Sequence, residues 1–336
     1  MSSSVTVPAP LAGKALCAVL RIAVTLPLLA EWFSATAATS PGNQHSELPA
    51  ASTPDPAARG LVLTNADHTI QFSLATNACP QAPWILNTFD LVAHGETILQ
   101  SPRRNLPAVG GADDLFGQIL INGRGPAMTC ENSLTLVEQA CGPEWRAAIL
   151  DATAGYRDRL TTLRRTVVVV DPDLIVIYDR MAAPEPVTYA MRLHPPSGTR
   201  VDPDWGDLRL ALDRAALIVH APGRKRDPRP WQRVDSPADA LWPGTVTMHL
   251  GPTNRVSQLH VLTVLAISPS ARPVDYTFRL IESTAAIGAQ IQRNGLPTLV
   301  AFRTDPQAPG ATLNGFPFQG PVGVYVFKPK TRAGRP

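Results

Sequence analysis

Thr166-Val-Val-Val-Val170-Asp171-Pro172-Asp173-Leu174-Ile-Val-Ile-Tyr178-Asp179-Arg180 is two β-branched runs separated by Asp-Pro-Asp. β-Branched and aromatic side chains fit a pleated surface, and Asp-Pro-Asp favours a tight turn. The stretch therefore predicts a β-hairpin. Similar runs, bounded by Pro, Gly, Asn and Asp, recur on both sides of it. They give strands over Thr69–Leu74, Thr88–Leu99, Gln118–Asn122, Val187–His194, Leu208–Leu212, Leu217–Ala221 and Thr245–Leu250. The series continues with Ser257–Ile267, Thr277–Ser283, Ile287–Gln292, Thr298–Arg303 and Gly323–Phe327. Strands at this spacing predict an all-β chain, a large antiparallel β-sandwich of stacked sheets, rather than βαβ units. Helical patterning is confined to short pieces such as Ala108–Leu115 and Pro237–Leu241.

Composition agrees. Of 336 residues, 34 are Pro and 23 are Gly, too many breakers for a helical bundle. Hydrophobic residues make up 44% and charged residues 17%, enough apolar material for a buried core. The 30 basic and 27 acidic residues are scattered, without the patch or stripe expected of a nucleic-acid binder. Residues 1–37 have the layout of a secretory signal: Lys14 and Arg21, the apolar run Ile22–Ala30, then Ala35-Thr36-Ala37. Residues 38–59 are rich in Ser, Thr, Pro and Ala and read as a flexible linker. The expectation is one β domain over 60–330 with a short tail at 331–336, no membrane span after signal cleavage, and a periplasmic or secreted location. Cys130 and Cys141 either close a short disulfide loop or stay as buried thiols, with Cys79 left single.

No nucleophile elbow, P-loop or zinc-protease motif is present. The densest basic run, Arg224-Lys-Arg-Asp-Pro-Arg-Pro-Trp231, reads as a solvated loop, the other reading being an acidic-glycan patch. His94 and Glu96, two apart in a strand-like run, are expected on one sheet face. Alternation likewise puts Arg192 and His194 together, opposite Met191 and Leu193, as a face for an anionic ligand or for solvent.

Several motifs then follow in order. Asp151-Ala-Thr-Ala-Gly-Tyr156-Arg157 precedes Arg164-Arg165, the Asp171–Arg180 stretch and Arg192-Leu193-His194-Pro195. Upstream lies Asn87-Thr-Phe-Asp-Leu-Val-Ala-His94-Gly-Glu96. This series resembles the carboxy-terminal β domain of the heparinase II/III-like polysaccharide lyases, over about 110 residues.

The resemblance implies an exported lyase acting on acidic, uronate-containing polysaccharide by β-elimination. It marks Tyr156 and His194 as candidate catalytic residues and Asn87, His94, Arg157 and Arg192 as candidate substrate-binding residues. It also implies zinc, but where the family has H-x-H-x-D this chain has Gln81-Ala-Pro-Trp-Ile85, so no metal ligand is recognisable. The family's helical toroid has no counterpart in the sequence. The alternative expectation is therefore a degenerate glycan-binding module, or one half of a split lyase with a separately encoded helical partner.

Overall fold

The computed structural model describes residues 60–64, 70–75, 88–100, 119–126, 134–196, 199–203, 207–220, 231–233, 248–250, 254–270, 272 and 274–327. The signal and linker, Asn87, residues 81–85, the helical pieces at 108–115 and 237–241, Cys79, Cys130 and the tail lie outside the described residues.

The fold is all-β and antiparallel. Its centre is an eight-stranded sheet built around the hairpin of β8 (Thr162–Val170) and β9 (Leu174–Val187). β7 (Trp145–Asp151) and β6 (Thr135–Gly142) extend it beyond β8. β16 (Val256–Pro269), β13 (Ala215–His220), β12 (Asp207–Ala211) and β11 (Arg200–Pro203) extend it beyond β9.

Both faces of this sheet are covered, which explains the unbroken valine run. Val167 and Val169 enter one core while Val168 and Val170 enter the other. A strand buried on both faces has no polar alternation to show.

On the first face lie two smaller sheets. One runs β1 (Gly60–Thr64), β2 (Ile70–Ala75), β3 (Phe89–Ala93) and β4 (Glu96–Leu99). The other runs β14 (Trp231–Arg233), β15 (Met248–Leu250), β10 (Tyr189–Leu193) and β5 (Ile119–Ile121). Phe89, Leu91, Ile119, Tyr189 and Met191 pack there against Val167, Ile175 and Leu265.

On the second face, β17 (Tyr276–Glu282), β18 (Ala286–Arg293), β19 (Leu296–Arg303) and β22 (Val322–Val326) form a covering sheet. Its outer side is closed by the hairpin of β20 (Ala311–Leu313) and β21 (Phe316–Phe318).

Two expectations change. Thr88–Leu99 is a hairpin, β3 turning into β4 at His94 and Gly95, whose φ values are 51° and 77°. His94 therefore sits in a left-handed turn instead of sharing a sheet face with Glu96. The Glu96 carboxylate accepts hydrogen bonds from the backbone N–H groups of Arg214 (2.9 Å) and Ala215 (3.0 Å), pinning the hairpin to the β12–β13 turn. Second, β6 is a strand that the hydrophobic runs did not mark, because it is an exposed edge. Cys141, on that strand, is disulfide-bonded.

Candidate functional site

Among the described residues β5 is the last strand of its sheet, so Ile119 and Ile121 turn backbone groups away from β10. A 3-10 turn, Thr153–Tyr156, brings two side chains to that edge. The Tyr156 hydroxyl donates to the Ile119 carbonyl at 2.8 Å. The Arg159 guanidinium donates to the carbonyls of Ile121 (3.3 Å), Arg124 (2.9 Å) and Gly125 (2.7 Å), and lies 5.5 Å from the Tyr156 ring centre. Asp151 fixes the start of the turn, accepting from the Thr153 N–H at 2.9 Å.

Tyr156 is fully buried, and burial raises its pKa far above the usual tyrosine range, so its proton stays on. An acid–base tyrosine needs its hydroxyl within reach of the substrate. This one is committed to a backbone carbonyl in the core. Arg157, next in sequence, is exposed on the turn.

Beneath β10 lies a charged network that the sequence reading did not single out. Arg165 on β8 and Asp179 on β9 face each other in register, with Nε–Oδ1 at 2.7 Å and Nη2–Oδ2 at 2.9 Å. The Tyr189 hydroxyl donates to the same carboxylate at 2.7 Å. Arg165 Nη2 also lies 3.8 Å from the Met191 sulfur. Burial works against the arginine charge, and the Asp179 carboxylate outweighs it, so the guanidinium holds its proton more tightly than usual. Burial, reinforced by Asp179, raises the Tyr189 hydroxyl too.

Tyr189 and Met191 point to this network, so alternation places Arg192 and His194 on the far side of their strand. Both are nonetheless buried, at 4% exposure each, which removes the solvent-facing alternative. Arg192 pairs in backbone register with His249 of β15, and the Gln100 N–H donates to the His194 carbonyl at 3.1 Å. Arg192 acts electrostatically on Tyr156, as do Arg165, Arg159 and Asp179.

The electrostatic reach of Arg192 extends to Tyr156, whereas that of His94 is toward a different residue. His94 acts on Asp173, at the β8–β9 turn. That is six residues, about 20 Å, along β9 from Asp179. Among the described residues no three His, Cys, Asp or Glu side chains cluster as metal ligands. The zinc implied by the resemblance has no fitting donor set there.

No family model matches the chain, and no curated protein matches it. Solved structures do. A heparan sulfate lyase from Pedobacter heparinus superposes with a TM-score of 0.56 at 9% identity, over 71% of this chain and 40% of that one. Heparinase III superposes with a TM-score of 0.56 at 16% identity, over 73% of this chain and 41% of that one. The chain has a heparinase-like fold and spans about two fifths of the length of these structures.

Proposed function

We propose that this chain acts on acidic, uronate-containing polysaccharide and that its reaction is β-elimination. The fold it has in common with the heparan sulfate lyase and heparinase III carries the reading. In the reaction a base removes the C5 proton, the electron pair forms the C4–C5 double bond, and the C4–O4 bond breaks as O4 takes up a proton. Cationic groups that neutralise the C6 carboxylate stabilise the charge that develops at C5. Arg192 is assigned that neutralising role, with Arg157 at the exposed turn binding further along the glycan, and His194 the proton transfer. Tyr156 positions β5 and the turn beside Arg192. Among the described residues no helix is long and apolar enough to cross a membrane. The disulfide at Cys141 supports an oxidising compartment, the periplasm or the exterior.

A second reading, glycan binding without cleavage, is favoured by the burial of Arg192, His194 and Tyr156, none more than 4% exposed. Ultraviolet absorbance of the unsaturated uronate product separates the two. The full chain is incubated with alginate, heparan sulfate or chondroitin. A rising signal that His194→Ala abolishes in a folded protein supports the lyase. A flat signal with glycan retention supports the binding reading. A flat signal without retention overturns both and directs attention to a helical partner supplied in trans.

A further inference from the structure

On the sheet face that meets β17–β18–β19–β22, the second core reaches as far as Tyr178, whose ring stacks on Phe302 at 4.9 Å. Beyond Tyr178 the strand register aligns Asp151, Arg164, Arg180 and His260 on β7, β8, β9 and β16. Residues directly opposite in antiparallel strands share a face, about 4.5–5.5 Å apart. The row therefore sets one carboxylate, two guanidinium groups and one imidazole on four consecutive strands. The next row out, Thr162, Ala182 and Gln258, is small or polar, so no apolar cover is built over them.

Two arginines directly opposite one another destabilise a sheet unless an anion compensates. Compensation here is one-sided. Arg164 is 3.3 Å from Asp151, and its side chain is 40% exposed. Of further acids on this face, Glu138 on β6 lies opposite Ile149 at the same edge, and Asp207 on β12 is paired with His220. Among the described residues the row carries no carboxylate beyond Asp151. Arg180 is half-buried, and its side chain makes no hydrogen bond or ion pair with a described residue. His260 is exposed, and its orientation is fixed: Tyr178 Oη and His260 Nδ1 are 2.5 Å apart, with the rings stacked at 5.9 Å. Burial raises the Tyr178 hydroxyl, so that contact is made by a neutral phenol.

We propose that Arg164, Arg180 and His260 form a binding strip for the carboxylate or sulfate groups of a linear acidic polysaccharide lying across the strands. Strands repeat at about 4.8 Å, close to the advance of a glycan per sugar, so successive anionic groups meet successive side chains. Guanidinium matches carboxylate and sulfate through paired N–H donors. The strip lies on the sheet face opposite Arg165, Asp179 and β10, so it is separate from the Arg192–His194 site. It rests on the proposed polysaccharide ligand and not on cleavage.

The test is retention of the full chain on immobilised heparin and alginate, read as affinity and as the salt concentration at elution. Arg180→Gln lowers affinity about tenfold, the effect of losing one charge-assisted contact. Arg164→Gln with Arg180→Gln lowers it further and flattens the salt dependence, while Arg180→Lys retains part of the binding. Circular dichroism of each variant confirms the fold. Elution of the double variant at the same salt as the unsubstituted chain overturns the proposal. So does competition by single-stranded DNA as effective as that by the glycan. Product absorbance is measured separately, so a strip that binds without cleavage and a lyase without a strip give different results.

Discussion

Arg165 and Asp179 meet across β8 and β9 through two contacts of 2.7 and 2.9 Å, and neither side chain is more than 1% exposed. With the Tyr189 hydroxyl as a further partner, the pair forms a buried polar unit inside an apolar layer. Removing one member leaves the other charged and buried. Arg165→Met or Asp179→Leu alone should each destabilise the chain by about 3–5 kcal/mol in denaturant unfolding. Arg165→Met with Asp179→Leu together should be milder than either single change. A double variant as unstable as the sum of the singles would show that the pair is not acting as a unit.

Tyr156→Phe tests whether that hydroxyl holds structure or performs chemistry. Losing the donor leaves the Ile119 carbonyl without its 2.8 Å partner. The expected result is a loss of about 1–3 kcal/mol in the unfolding free energy, with lyase or glycan-binding signal per folded molecule unchanged. Signal lost at full stability would return Tyr156 to the catalytic role.

The tyrosines also make a prediction about alkaline pH. All five hydroxyls have raised pKa values, with burial the leading cause in each. An unfolded tyrosine titrates near 10. A raised folded pKa means the native state binds more protons above pH 10, so this stabilisation is present below pH 10 and is lost as pH rises beyond it. Tyrosinate absorbance should therefore lag behind that of free tyrosine and then rise together with loss of β circular dichroism. A smooth titration centred near 10 with the fold intact would contradict the burial described.

Gly288 on β18 leaves no room for a side chain. A Cβ there would lie 2.3 Å from the Val300 carbonyl oxygen and 2.5 Å from a Leu313 methyl. Gly288→Ala should cost about 1–3 kcal/mol and loosen the β20–β21 hairpin from the sheet beneath it, read as faster amide exchange in Ala311–Leu313. An unchanged melting temperature would rule out that close approach.

Much of the fold was legible because the relevant signals are local. The valine run and its Asp-Pro-Asp turn gave the central hairpin. Asn122-Gly123, Asn294-Gly295 and Asn314-Gly315 are further turns, both residues of each having positive φ, written in the strongest short-range hairpin signal. β6 escaped because an exposed edge strand need not carry an apolar run. The site was harder to read. Arg165 finds Asp179 fourteen residues away, and Asp151, Arg164, Arg180 and His260 share a row only through strand register. Register is set by the whole sheet, and a shift of one residue would move every member of the row to the other face. His94 was misplaced for a related reason: a His-Gly pair between β-branched runs was a turn, and its strand-like neighbours hid it.

The side chains that tie off β5 bear on the company this protein keeps. The outermost strand of a sheet offers backbone donors and acceptors on which another chain can lay a strand of its own. Along β5 the outward Ile119 carbonyl is taken by Tyr156, and Ile121 exchanges hydrogen bonds with Arg124 while also accepting one from Arg159. A second molecule arriving at this edge finds its positions occupied. The same few bonds that hold the 3-10 turn thereby leave this edge with few free backbone groups for an added strand to use.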